Sequence, residues 1–146
     1  MPELSPLLTV DDVNRFLDTD FPELHAGGRV YGLTAVAPGE ATMRLVPHAA
    51  HLRPGGTVSG PALFTLADVC AYATLIAHIG PVALAVTTNL NISFLRKPAL
   101  GPLDCRCRIL KLGRRLAVLT AEIAAPGDQN LVAHATATYS IPPGKK

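Results

Sequence analysis

The stretch Gly55–Leu75, GGTVSGPALFTLADVCAYATL, constrains the fold more than any other. Pro61 opens a helical pattern that runs to about His78, and Gly80-Pro81 stops it. Ser59 or Gly60 is a suitable cap. The pattern is apolar on both sides, with Leu63, Leu66, Cys70, Ala73 and Ala77 opposite Phe64, Tyr72 and Leu75. Such a helix is expected to be enclosed all round. Yet Asp68 sits near its middle, the sole formal charge between Thr57 and Leu95. A buried, unpaired carboxylate costs several kcal/mol or neutralises. The fold must therefore wrap the helix and still give Asp68 a polar environment. Apolar neighbours are expected to raise the Asp68 pKa, which would suit a base near neutral pH.

A membrane span is the competing use of such a helix, since about 20 residues is the right length. Asp68 at mid-span would cost roughly 3 kcal/mol. Ala and Thr dilute the hydrophobicity, and no basic flank orients the segment. The chain of 146 residues is long enough for one domain with its own core. Only 16% of residues are charged and mean hydropathy is +0.30, so the excess apolar surface is expected to meet copies of the same chain.

The rest of the chain is mostly strand. TVDDVNRFLDTDF, from an N-cap at Thr9, reads as a short amphipathic helix buried through Val13, Phe16 and Leu17. GGRVYGLTAVAPGEATMRLVP alternates about a turn at Pro38-Gly39 and predicts a hairpin. HAAHLRPGG is a loop. After the long helix, VALAVTTNLNISFL, PLDCRCRILKLG, RRLAVLTAEIAA and LVAHATATYSI alternate with period two and predict a four-strand meander. Strict alternation sets Thr87 on one face with Asn89, Asn91 and Ser93, and Val86, Leu90, Ile92 and Phe94 on the other. The fold class is α+β, with about six antiparallel strands curled around one long helix. Residues 1–28 form a helix and lead-in, 29–141 the domain, and 142–146 a solvated, disordered tail.

Several functions are set aside by what the chain lacks. A net charge of +2 and few aromatics give no basis for nucleic-acid binding. There is no G-x-S-x-G and no phosphate-binding glycine loop. The N-terminus lacks the basic start and apolar run of a secretory signal, so a cytoplasmic location is expected. Three cysteines are an odd count and read as free buried thiols. A metal at Cys105 and Cys107 would need two more ligands, for which His48 and His51 are the nearby pair. No metal is expected. His48, His51, His78 and His134 read as structural.

GPALFTLADVCAYA, TTNLNISFLRKPALG, LKLGRRLAVLTAEI and LVAHATATYSI, in this order and spacing, resemble the hot-dog fold. Within it the chain is similar to acyl-CoA thioesterases of the phenylacetate-pathway, 4-hydroxybenzoyl-CoA thioesterase-like type, over about Arg29 to Ile141. The resemblance implies a curved sheet around a central helix. It implies domains paired edge to edge with sites between subunits, hence a homodimer and a dimer of dimers. It implies hydrolysis of an acyl-CoA or aryl-CoA with no cofactor, coenzyme A being part of the substrate. The family's usual His-Gly-Gly at the helix entrance is Ser59-Gly60-Pro61 here, and Arg53 stands near the usual Asn.

On that reading Asp68 is the base or nucleophile, though it could instead bond backbone at a dimer contact. The Gly60 N–H, at the positive end of the helix, could polarise the thioester carbonyl. Pro61 has no N–H to add. Ser59 donates in place of the family's His, or only caps the helix. Thr87 matches a hydroxyl residue that orients the nucleophile. Phe64 and Tyr72 line an acyl pocket or belong to the core. Arg96-Lys97 and Arg114-Arg115, at two turns, are candidates for the coenzyme A phosphates, and Arg53 for the pantetheine arm or phosphates. The replaced triplet also admits a different reading, a hot-dog protein that binds an acyl-CoA or aromatic acid without turnover. A dehydratase of the same fold needs a His beside the acid, which Asp68 lacks.

Overall fold

The computed structural model describes residues 4–143. Its elements, in chain order, are α1 (Val10–Asp20), β1 (Tyr31–Ala37), β2 (Glu40–Leu45), α2 (Gly60–Ile79), β3 (Val86–Phe94), β4 (Leu103–Leu112), β5 (Leu116–Ala124) and β6 (Ala133–Ser140). Short 3-10 turns occupy Pro22–His25 and Ala49–His51. Of the expected tail, 144–146 lie outside the described residues.

Both helices start where the sequence places them. Thr9 caps α1 in a reciprocal capping box with Asp12, and Val13, Phe16 and Leu17 are its buried residues. Ser59 caps α2, its hydroxyl oxygen accepting from the Ala62 N–H, with Pro61 in the first turn. Gly80 ends α2 at φ +93°, a backbone conformation that favours glycine.

One antiparallel sheet of six strands, ordered β1-β2-β4-β5-β6-β3, curls around α2. This is the hot-dog arrangement. The sheet corrects the expected four-strand meander. β4, β5 and β6 do run consecutively, but β3 pairs with β6 rather than β4. Both edges of β4 are taken, by β2 and β5, so β3 crosses to the far side and becomes an edge strand. Alternation along a strand carries no information about which strand lies beside it.

The alternation is also broken, in β4 between Ile109 and Lys111 and in two further strands. β1 shifts register between Leu33 and Ala35, and β3 between Thr87 and Asn89. Each bulge adds one residue and reverses the facing of what precedes it. Thr87 is thus opposite Tyr139, on the inward face with Leu90 and Ile92, whose partners are Ala137 and Ala135. The expected grouping of Thr87 with Asn89, Asn91 and Ser93 is overturned.

The core lies between α2 and the concave face. Leu66, Cys70, Leu75 and Ile76 from α2 meet Met43, Leu45, Leu103, Cys105, Cys107, Leu119 and Ile123, all at most 1% exposed. Burying each large aliphatic side chain contributes roughly 1.5–3 kcal/mol. The helix is long and apolar enough to cross a membrane, but most of its apolar window is buried in the fold. It is not enclosed all round. Pro61 and Phe64 are exposed, and Thr65, Asp68 and Tyr72 are half-buried, so one strip of the helix faces outward.

Candidate active site

Asp68 stands on that strip. Its Oδ1 accepts from the Thr87 hydroxyl at 2.6 Å and from the Tyr139 hydroxyl at 2.6 Å. The same Tyr139 hydroxyl lies 2.8 Å from the Asp68 backbone oxygen. The single phenolic proton is shared between them. The second carboxylate oxygen takes no hydrogen bond among the described residues and faces a cavity of about 580 Å³. The puzzle of a charge inside an apolar helix resolves accordingly. Asp68 is half-buried, one oxygen is held by two hydroxyls, and the other is open.

Each hydroxyl is placed by a distinct local feature. The β3 bulge turns Thr87 inward, and β6 carries Tyr139 directly opposite it. Tyr139 is 2% exposed. Burial, and then the neighbouring Asp68 charge, push its phenol far above the usual tyrosine range. It is therefore a fixed donor across the working pH range. Tyr139 is absent from the sequence-based candidates.

Four aromatic side chains contribute to the cavity wall. Phe21, Phe64 and Tyr72 line it with Thr65, Val86 and the Asp20 carboxylate. Tyr72 donates to the Ala83 carbonyl at 3.0 Å, stacks on Tyr139, and meets Phe21 edge to face. Burial and the Asp20 charge raise its pKa as well. Phe64 and Tyr72 thus both face the Asp68 cavity.

A second cavity, of about 390 Å³, lies at the start of α2. Arg53, Thr57, Gly60, Phe94, Arg96 and Lys97 are among its lining residues. Three of the expected basic residues are brought together there. The Ser59 hydroxyl accepts from Ala62 N–H and so acts as a cap, and Leu63 N–H bonds the Ser59 carbonyl. Pro61 has no N–H, so Gly60 offers the open donor of this first turn. A Cβ on Gly60 would sit 3.4 Å from the Phe94 ring.

Two separations matter. Gly60 and Asp68 share a helix face but are eight residues apart, about 12 Å along the axis. One thioester carbonyl cannot reach both within a single chain. Arg114 and Arg115, in the β4–β5 turn, are exposed and line neither cavity. They lie at the Val86 end of β3, because Leu116 and Val86 both pair with Ser140. Arg96 and Lys97 follow the opposite end of β3, some 30 Å away at the usual strand rise. Within one protomer the four basic residues do not form one mouth.

His48 and His51 stand together away from the cysteines, His48 N–H donating to His51 Nδ1 at 2.9 Å. The third thiol near Cys105 and Cys107 is instead Cys70.

Comparison with known proteins agrees with this geometry. The Thioesterase superfamily model matches residues 55–132, from the loop before α2 into the approach to β6. A candidate thioesterase from Silicibacter sp. TM1040 is 46% identical, covers 96% of each chain and superposes with a TM-score of 0.86. A variant of the phenylacetic acid degradation protein PaaI from Thermus thermophilus is 28% identical over 84% of this chain and 98% of that one, with a TM-score of 0.69. A candidate esterase from Pseudomonas aeruginosa is 34% identical over 94 residues, 63% of this chain and 68% of its own.

Proposed function

The chain belongs to the thioesterase superfamily, and from that premise we propose that it hydrolyses an acyl-CoA thioester with Asp68, at a site completed by a second copy of the chain. The observation that carries this is the Asp68 carboxylate, with one oxygen fixed by Thr87 and Tyr139 and the other open to an aromatic-walled cavity. A carboxylate so held can take a proton from water or attack a carbonyl carbon directly. As a base, Asp68 delivers the hydroxide of that water to the carbonyl carbon, the C–S bond breaks, and the thiolate leaves with the proton Asp68 took; as a nucleophile, it forms an acyl anhydride as the C–S bond breaks, and water then cleaves the anhydride to the free acid, its proton going to the thiolate. Thr87 and Tyr139 position Asp68 and keep its open oxygen aimed at the cavity.

The oxyanion needs a donor about 3 Å away. The Gly60 N–H at the positive end of α2 is suited to this but lies about 12 Å from Asp68 in the same chain. Supplying it from a partner removes the conflict. β3 is an edge strand, paired with β6 on one side only among the described residues, with Leu84, Val86, Phe94 and Leu95 each more than half exposed on or beside it. If β3 of two copies pair antiparallel, the Thr87 end of one meets the Phe94 end of the other. Asp68 of one protomer then faces Gly60, Arg53, Arg96 and Lys97 of its partner. The same pairing brings Arg114 and Arg115 toward the basic residues they are separated from in one protomer. The basic groups would hold the phosphates of coenzyme A, and Phe64, Phe21 and Tyr72 the acyl group, with an aromatic acyl group matching the wall. No cofactor enters the scheme. We place the working unit at a homodimer, able to associate into a dimer of dimers, in the cytoplasm.

The test is thiol release from short, long and aromatic acyl-CoAs by the wild type and by Asp68→Asn. Turnover of at least one substrate, with a loss of about a hundredfold or more in the variant, supports the reading. Binding of the esters by both proteins with no thiol release overturns it in favour of a binding protein. The Ser59-Gly60-Pro61 entrance, with Phe94 over Gly60, favours that second reading.

A further inference from the structure

All three cysteines of the chain converge in the core, away from the Asp68 cavity. Cys70 comes from α2, and Cys105 and Cys107 come from the inward face of β4. Their sulfur atoms all lie within 4.8 Å of one another, with Cys105 Sγ and Cys107 Sγ 3.9 Å apart. Each residue is 0% exposed. The spacing follows from the fold. Residues two apart on a strand share a face, and Cys70 is on the side of α2 that packs on the sheet. Ala41 and Met43 of β2 pair with Cys107 and Cys105, and Ala121 and Ile123 of β5 flank them on the other side. The side chains around the cluster are apolar apart from Thr74, whose hydroxyl donates to the Cys70 carbonyl, and the Cys70 thiol itself lies 3.3 Å from the Cys105 carbonyl oxygen and 3.9 Å from that of Ala41.

Three soft ligands at this spacing can meet one central atom, and the environment selects which. A divalent ion bound by three thiolates leaves a net negative charge, and a monovalent ion leaves more. Neither is tolerable in a dry core without a countercharge. A trivalent metalloid bound by three thiolates is neutral. We propose that Cys70, Cys105 and Cys107 form a binding site for a trivalent, thiophilic metalloid, supplied as uncharged arsenous acid. The step is a substitution without oxidation or reduction. Three As–O bonds break, three As–S bonds form, and each thiol proton leaves with a hydroxide as water. The uncharged acid reaches the cluster through local opening of α2 from β4. Once bound, it cross-links those two elements.

The proposal is independent of the thioesterase reading. Folded protein is incubated with arsenite under anaerobic conditions without added thiol, and three properties are measured. Intact mass is expected to rise by one arsenic less three hydrogens. X-ray absorption at the arsenic edge is expected to show three sulfur neighbours. The melting temperature is expected to rise with arsenite concentration, as it does for a ligand of the folded state. In Cys70→Ala or Cys107→Ala, uptake is expected to weaken by at least about tenfold, since the remaining pair loses a tethered third ligand. The absorption measurement on the wild type decides the matter if a variant does not fold. No uptake by the folded protein overturns the proposal. So do fewer than three sulfur neighbours, or a melting temperature that falls because arsenite binds the unfolded thiols.

Discussion

Replacing Tyr139 with Phe removes one oxygen atom and tests the geometry around Asp68 directly. The lost hydroxyl is 2.6 Å from Oδ1 and 2.8 Å from the Asp68 carbonyl, and its ring is almost wholly buried. Hydrogen bonds to charged groups contribute ~1.5–3 kcal/mol. Thr87 still holds the same oxygen and the other oxygen still reaches water, so the lower end applies, about 1.5 kcal/mol. For a chain of this size that is a fall of about 3–6 °C in melting temperature. The assay is denaturant or thermal unfolding at fixed protein concentration, repeated in an Asp68→Ala background. There Tyr139 keeps only the carbonyl contact, and removing its hydroxyl is expected to cost about 0.5 kcal/mol, a coupling of about 1 kcal/mol. An equal cost of Tyr139→Phe in both backgrounds would refute the claim that this hydroxyl serves the carboxylate. In the Asp68-intact variant, kcat is expected to fall more than KM changes, since the loss is one of positioning.

Three further outcomes follow from the same geometry. Tyr139 has a folded pKa raised above its unfolded value of about 10, so the unfolded chain loses this proton first and stability falls as pH rises above 10. The slope tends toward about 1.4 kcal/mol per pH unit from this residue, and urea titrations at alkaline pH should show a shallower fall in Tyr139→Phe. Arg96→Glu with Lys97→Glu is expected to raise KM for a coenzyme A ester about 10–100-fold, as for loss of charge-assisted contacts. KM for a thioester lacking the nucleotide should be unchanged, which steady-state kinetics on the two substrates will show. Gly60→Ala should fold with stability within about 1 kcal/mol of wild type, because a gain in helix propensity offsets the 3.4 Å approach to the Phe94 ring. Its thioester turnover should still drop, because the added methyl, lying against the Phe94 ring at 3.4 Å, narrows the approach to the Gly60 N–H.

The helical part of this molecule was legible because local rules decide it. Pro61 after a capping Ser59, and Gly80 at the end, bound α2 to within a residue or two of expectation. Asp68 was conspicuous because charge in an apolar helix demands a reason. The sheet was legible as segments but not as an order. β3 finds its partner β6 only because β4 is occupied on both edges, a fact of the assembled sheet. The bulge beside Thr88 leaves no mark on the sequence, and it is what turns Thr87 from an outer face to Asp68. Tyr139 had a faint signal. It is the one aromatic in the small-residue run ATATYS, and a buried tyrosine hydroxyl needs an acceptor. Which acceptor it finds, 71 residues earlier, no local pattern says. The basic residues were legible as charge at turns, but the turns lie at opposite ends of β3.

That last separation makes the shared site testable without a structure of the assembly. Asp68→Asn removes the carboxylate and leaves the entrance of α2 intact. Arg53→Glu with Arg96→Glu and Lys97→Glu spoils the entrance and leaves Asp68 intact. Each is expected to be nearly inactive alone on a coenzyme A ester. If a site joins Asp68 of one protomer to the α2 entrance of its partner, a hybrid of the two variants contains one site with both native halves and one with neither. Unfolding and refolding an equal mixture makes half of the dimers hybrids by random pairing. Each hybrid carries one working site of two, so about a quarter of wild-type activity should return. A chain that housed its whole site alone would give no recovery at any mixing ratio. The 12 Å between Gly60 and Asp68 argues for recovery, because an α-helix cannot shorten to bring its first turn to its third.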